Sequence, residues 1–285
     1  MTRPIGLAHL SALHLSPPEL IDAAAAAGFS SVGARVHPAT ASETRYPMNA
    51  GSLLSTRTRE RSDTTGVSVF DVEVFTLDGT RGRNEWMPVL AAGSDLGAQV
   101  LNVIGGDDDH GRFLDSLTNL VLDAADFGIT ASIEPISYQK IDTFRSAAAV
   151  SRQTGCGIML DVLHFVRAGG HIDDLSVAPV GAVRVIQLCD GPLEVPDIPA
   201  PRKMPLGQDT NGSARQIESR AKRLVPGDGT FPLGDILAAL PGVPVSVEVP
   251  DVEYIERKSA AMHLERLFAA TQTLVAASDH HRTDA

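Results

Sequence analysis

Four short apolar runs in the second half of the chain each stop on a residue able to hold a cation or move a proton. They read TASIEP at 130–135, GIMLD at 157–161, RVIQLCD at 184–190 and VSVEVP at 245–250. In strands, side chains alternate between faces. One face then carries Ser132 with Glu134, Met159 with Asp161, Val185 with Gln187, and Ser246 with Glu248. The other carries Ile133, Ile158, Leu160, Ile186, Val245 and Val247, which suit packing against helices. Three carboxylates gathered at one end of a sheet lose hydration and repel one another, and a divalent cation offsets both costs. The all-oxygen set Glu134, Asp161, Gln187 and Glu248 favours Mn²⁺ or Mg²⁺ as one bound ion, with Zn²⁺ or Co²⁺ as alternatives. A single strand-end carboxylate more often caps a loop or pairs with an arginine. Four polar residues of consistent parity on consecutive strands argue for one shared site.

An ion held there would polarise the carbonyl of a hydroxy-ketone and acidify the neighbouring C–H. Glu134 and Glu248 would approach from different strands, one as base and the other as acid. Returning the proton gives epimerisation or isomerisation, whereas loss of a β-hydroxyl gives a dehydrated product. His164, three residues after Asp161, is a further catalytic candidate, or else a histidine that orients a ligand. Arg223 has the planar fork that suits a substrate carboxylate or hydroxyls, although the default for a loop arginine is solvation. Glu73, in VFDVEVF at 69–75, shares parity with Asp71 and is a substrate-contact candidate, with a structural ion pair as the competing role. His14, His37 and His110 fall in loops without ligand spacing. The run Asp107-Asp108-Asp109 reads as a solvated loop. Trp86 and Phe75 offer an apolar floor for a sugar ring, but helix packing accounts more simply for Trp86.

The elements that must position these groups alternate from end to end. Strand-like runs occur at 5–10, 31–36, 67–75, 100–104, 130–134, 157–161, 183–188 and 245–248. Ser16-Pro17-Pro18-Glu19 has capping-box form and Gly28 stops that helix. Asn84 opens another helix, and Phe113, Leu117, Leu120, Ala124 and Phe127 follow helical spacing. Asp142 caps a helix over 143–154, and a last helix starts at about Tyr254. Eight strand–helix units predict a (β/α)8 TIM barrel, an α/β single domain over 1–278 with a frayed tail at 279–285. The weak places are the polar stretch 51–65 and the Gly169-Gly170 pair. A doubly wound open sheet is the rival, but no GxGxxG follows its first strand. The long connection at about 190–229 would follow strand 7 on the catalytic face and is long enough for a lid.

Composition narrows the partners. The chain has 285 residues, 24 Lys+Arg against 35 Asp+Glu and a net charge of −11, which disfavours nucleic acid and anionic membranes. With 43% hydrophobic and 21% charged residues it has the profile of a globular protein. Cys156 and Cys189 belong to no CxxC pattern, which fits a reducing cytoplasm. The opening segment is too polar for a signal peptide, and no apolar run approaches a membrane span.

The motifs IEP, LDVLHF, QLCD, RLVPGDG and VEVP, in this order, make residues 5–275 resemble the xylose-isomerase-like barrel superfamily. That superfamily holds sugar isomerases, ketose 3-epimerases, inosose and dehydroshikimate dehydratases, and apurinic endonucleases. The resemblance implies a divalent metal on Glu134, Asp161, Gln187 and Glu248. It also implies a shared Asp161-x-x-His164 spacing and an Arg223 preceding a PGxG turn. The partner it implies is a small sugar or polyol-ketone substrate, and homo-oligomerisation is left open. Gln187, where isomerases and epimerases usually carry His, is closer to the dehydratase branch. Gly105-Gly106 after strand 4 and Asp228 inside the turn leave no sign of the endonucleases' extra ligands. The first expectation is therefore a metal-dependent isomerase or epimerase. A dehydratase of a cyclic polyol ketone or a dehydroshikimate-like acid comes second, and a non-catalytic sugar- or partner-binding barrel third.

Overall fold

The structure, a computed structural model, describes residues 3–40, 43–199 and 212–280. Strands β1 (Ile5–Leu7), β2 (Ser31–Arg35), β3 (Ser68–Leu77), β4 (Val100–Gly105), β5 (Thr130–Glu134), β6 (Gly157–Asp161), β7 (Val183–Leu188) and β8 (Val245–Val247) pair in sequence order, all parallel. β8 returns to β1 and closes the barrel, the (β/α)8 architecture that the eight runs predict.

Helices α1 (Pro17–Ala27), α2 (Leu53–Thr65), α3 (Arg83–Asp95), α4 (His110–Asp126) and α5 (Phe144–Thr154) follow the first five strands. Ser16 and Glu19 do form the capping box on α1, and Gly28 ends it in the left-handed region at φ 102°. α4 buries Phe113, Leu117, Leu120 and Ala124 along one stripe, each large side chain contributing about 1.5–3 kcal/mol relative to exposure. The polar stretch becomes α2 because its ends are capped: Ser52 accepts from the Ser55 N–H at 3.2 Å, and Gly66 is left-handed. Two starts differ by a residue from expectation. Gly82 caps α3, held by the Glu85 carboxylate, and Thr143 rather than Asp142 caps α5.

The glycine pair does interrupt the sixth helix. α6 (Val162–Arg167) stops before Gly169, and a short 3-10 turn (Ile172–Val177) follows. After β7 come α7 (Ala214–Ala221) and α8 (Leu233–Ala239). Within the connection after β7 Asp190 pairs antiparallel with Leu224; residues 200–211, on which much of the lid expectation rests, lie outside the described residues. The last helix divides into α9 (Val252–Arg257) and α10 (Ala260–His280), the second capped by Ser259. α10 continues past Ser278, and 281–285 lie outside the described residues.

Side-chain parity follows the sequence reading. Ile133, Ile158, Leu160, Ile186, Val245 and Val247 join the core between sheet and helices. Val100, Met159 and Val185, with Phe70 against them, fill the barrel interior as a separate cluster. Two residues further along those strands stand Asn102, Asp161 and Gln187. Register pairs Asp161 with Gln187 and Gln187 with Ser246, so the polar groups form a layer directly above the apolar plug.

Candidate active site at the barrel mouth

The C-terminal ends of the strands open on a cavity of about 290 Å³. Glu134, His164, Arg223 and Glu248 line it, and Asp161 and Gln187 lie just beneath at 0% and 1% exposure. Asp161 both ends β6 and caps α6: its Oδ1 accepts from the His164 N–H at 3.2 Å. The cap fixes the aspartate and brings His164 onto the mouth in the same turn. Among the described residues, Glu134, Asp161 and His164 place one potential ligand atom each within 4.8 Å of the others. Gln187 donates to Glu248 Oε1 at 3.2 Å. Arg223 bridges the two halves, with Nη1 at 2.6 Å from Asp161 Oδ2 and Nη2 at 2.7 Å from Glu248 Oε2.

Arg223 is therefore a buried member of the cluster, not a solvated loop residue. It reaches the site because α7 and the Asp190–Leu224 bridge fold the connection back over β7, and its Nε donates to the Ser219 carbonyl at 2.7 Å. Asp190 in turn accepts from the Gly227 and Phe231 N–H groups, tying the PGDG turn to the end of β7.

Glu73 is held elsewhere. A bulge in β3 sets both Glu73 and Val74 opposite Asn102, between the Val72–Leu101 and Phe75–Val103 pairs. Beyond the bulge Val74 and Thr76 line the cavity, while the Glu73 carboxylate lies against Gly33, within electrostatic reach of Arg223, Glu134 and Glu248. Glu73 Oε1 accepts from the His9 N–H at 3.0 Å, and its Oε2 lies 3.8 Å from Arg35 Nε. Gly33 makes room for it: a Cβ there would come within 2.7 Å of Asp71 Oδ2 and closer still to Glu73 Oε1. His9 itself is locked, Nδ1 accepting from the Arg35 N–H and Nε2 donating to the Leu15 carbonyl.

Several cavity residues went unnoticed in the sequence. Asn102 donates to Glu134 Oε2 at 2.6 Å, and its parity with Val100 on a strand was the available clue. Arg35 ends β2 on the same face as Gly33 and lines the cavity. Tyr138 lies edge-on to His164, with its hydroxyl 2.8 Å from Ser219 Oγ. Ser137 Oγ sits 3.3 Å from His164 Nδ1. Only the tertiary fold brings Tyr138 and Ser219 together. By contrast, Trp86 binds Asp123 and packs edge-on to Phe75, away from the mouth. Asp107 pairs with Arg112, and Asp109 caps α4. His37 lines a different cleft between the segment after β2 and α3.

Electrostatics set the chemistry. Burial, then the charge of Asp161, pushes the Glu134 carboxyl up to about 8 against the pull of Asn102 and Arg223. Burial also holds Glu248 and Asp71 well above the usual carboxylate range. Burial would raise Asp161 as well, but Arg223 and His164 outweigh it and hold it below its usual value. Burial brings His164 down to about 4, so its imidazole is neutral at pH 7. In the buried cluster the three carboxyls of Glu134, Asp161 and Glu248 share one guanidinium, Arg223, and the carbonyl oxygens Gln187 Oε1 and Asn102 Oδ1 are buried without a donor. Surplus carboxylate with orphaned acceptor oxygens is the donor chemistry of a cation site. Glu134, Asp161 and His164, with Gln187 and Glu248 adjoining, could hold a divalent ion.

Known structures share this architecture. The IolI protein, described with a bound zinc atom, superposes with TM-score 0.70 at 17% identity over 97% of this chain and 98% of its own. L-ribulose 3-epimerase gives 0.71 at 13% identity, covering 99% and 97%. The probable 3-DHS dehydratase AsbF from Bacillus anthracis gives 0.68 at 10%, covering 94% and 98%. A fusion of a xylose isomerase-like barrel with 4-hydroxyphenylpyruvate dioxygenase also matches, and this chain spans 42% of its length. Comparison with curated protein sequences gives no match. Among the described residues, no helix is long and apolar enough to cross a membrane. The family model described as xylose isomerase-like TIM barrel matches residues 21–269, and this chain belongs to that family.

Proposed function

We propose that the chain is a divalent-metal-dependent isomerase or epimerase of a small polyhydroxylated ketone, acting by proton transfer through an enediolate. The observation that carries this reading is the pair of buried carboxyls, Glu134 and Glu248. Both are held above their usual range, Glu134 at the end of β5 and Glu248 directly after β8, and both face one cavity of small-molecule size. A bound divalent ion would supply Lewis-acid polarisation of the substrate carbonyl. With the ion's charge favouring its carboxylate form, Glu134 would take the proton α to that carbonyl, and Glu248, held protonated by burial, would deliver one from its own side. Arg223 keeps Glu248 and Asp161 in fixed orientation, and Tyr138 packed against His164 limits water at the base. His164, neutral and held by Ser137, accepts or donates a hydrogen bond at the substrate.

A second reading, a dehydratase using the same proton abstraction followed by loss of a β-hydroxyl, is favoured by one feature. β7 presents Gln187, an amide that cannot titrate, where a histidine would be expected of an isomerase. Incubating polyhydroxylated ketones with the metal-supplemented protein in D₂O separates the two. Deuterium at the α-carbon without loss of water supports the isomerase or epimerase, and an ultraviolet-absorbing enone or diene supports the dehydratase. Glu134→Gln and Glu248→Gln should each abolish exchange, and retained exchange in either variant would refute the paired acid/base assignment.

A further inference from the structure

The mouth has a polarity that catalysis by Glu134 and Glu248 does not use. Its floor is acidic, but the wall made by the end of β2 and the loop after β3 carries two arginines, Arg35 and Arg81, facing the same cavity. Arg35 is 6% exposed, yet no side-chain hydrogen bond from its guanidinium is found among the described residues. Glu73 and Glu43 approach its Nε only to 3.8 and 3.9 Å. They hold the group in place by charge and leave Nε and Nη1 without acceptors. Arg81 meets Asp78 through Nε at 3.5 Å, and its Nη1 is likewise buried without a partner. Three guanidinium nitrogens on one wall thus lack an acceptor, and buried unmade donors are costly.

One hydroxyl has too few lone pairs to satisfy all three, and it does not match a planar fork. A carboxylate or phosphoryl group offers several acceptor oxygens, carries the complementary charge and fits guanidinium geometry. We infer that Arg35 and Arg81 form an anion-recognition subsite, so the substrate is a polyhydroxylated ketone that also bears an acidic substituent. The inference rests on the mouth being the substrate site, as the proposed function has it. It adds that the substrate's anionic end lies toward β2 and β3, opposite the α7 side from which Arg223 enters.

The test uses three six-carbon probes that differ at one end: glucitol, gluconate and glucitol 6-phosphate. Their binding to the protein, as purified and after adding Mn²⁺, is measured by calorimetry. At least one anionic probe should bind about tenfold or more tighter than glucitol, as a charge-assisted contact implies. Which anion gains identifies carboxylate or phosphoryl recognition. Arg81→Gln, at a half-buried loop position, should remove that preference while leaving glucitol binding and the thermal midpoint unchanged. Arg35→Lys, which keeps the charge but loses the fork, should reduce it in part. Equal affinity for all three probes, no binding of either anion, or an equal loss for every probe in Arg81→Gln would each overturn the subsite. The proposed function fails separately, through absent α-proton exchange, because the anion preference is read from binding alone.

Discussion

Removing the Glu218 side chain would strip the partner from a guanidinium whose side chain is 1% exposed. Arg167, at the end of α6, donates Nε to Glu218 Oε2 at 2.7 Å and Nη2 to Oε1 at 2.5 Å, a bidentate pair. Its remaining donors reach the Leu193 carbonyl at 3.0 Å and the Pro192 carbonyl at 2.8 Å, and its carbon lies 5.1 Å from the Phe231 ring centre. One side chain thus ties α6, the segment leaving β7, α7 and the segment beyond the PGDG turn. Breaking a buried pair from one side costs about 3–5 kcal/mol, because the other charge is left buried. Two carbonyls and a ring still face Arg167, so Glu218→Ala should fall near the lower end, about 3 kcal/mol. Urea unfolding followed by circular dichroism measures this as a shift in midpoint. The double variant Arg167→Met, Glu218→Leu should cost less than the sum of Arg167→Met and Glu218→Leu, by about 2 kcal/mol or more, since no charge is stranded. A Glu218→Ala loss of about 0.5 kcal/mol or less, the size expected of a surface change, would refute the reasoning. So would additive single and double variants.

Other expectations follow from the same site. The Glu134 carboxyl, at about 8 in the folded chain, keeps a proton that an unfolded chain releases near 4.5. Metal-free protein should therefore lose stability as pH rises through that window, and a bound divalent ion should flatten the slope; thermal melts with and without chelator check this. His9, brought down to about 3 by burial, stays neutral when folded, whereas its unfolded counterpart protonates below 6.5. Stability should then fall as pH drops from 6.5 toward 3, by up to about 1.4 kcal/mol per pH unit from this group, and His9→Gln should lessen that slope. Gly33→Ala should destabilise by about 1–3 kcal/mol, because its Cβ meets the Asp71 and Glu73 carboxylates; chemical denaturation reads the loss. Asn102→Ala should raise the pH at which Glu134 ionises, since it removes the donor that favours the charged form. Carboxyl infrared or ¹³C NMR titration follows that shift.

The barrel was legible because periodicity repeats: eight apolar runs, each followed by helical spacing, leave few other architectures. The inward parity of Glu134, Asp161, Gln187 and Glu248 was legible for the same reason, since a strand has only two faces. The partners of Glu73 were not legible, because His9 and Arg35 lie on other elements and the bulge in β3 leaves no local signature. Arg223 was singled out, but its burial was not, because its partners Asp161 and Glu248 lie 62 and 25 positions away in sequence. Arg35 and Asn102 carried the right parity but sat on strands without a terminal carboxylate to draw notice. The division of the last helix escaped because Ser259 is a helix cap only where the backbone has already turned at Lys258.

The central claim is that the mouth of this barrel binds a divalent ion through Glu134, Asp161 and the residues gathered with them. The most direct measurement is metal content by mass spectrometry after chelator stripping and reconstitution with Mn²⁺, Mg²⁺, Co²⁺ or Zn²⁺, with calorimetry of the reloading. The account predicts one ion per chain, lost or bound far more weakly in Glu134→Gln and Asp161→Asn variants that remain folded. No uptake of any of these ions, or uptake that both variants leave unchanged, would contradict it.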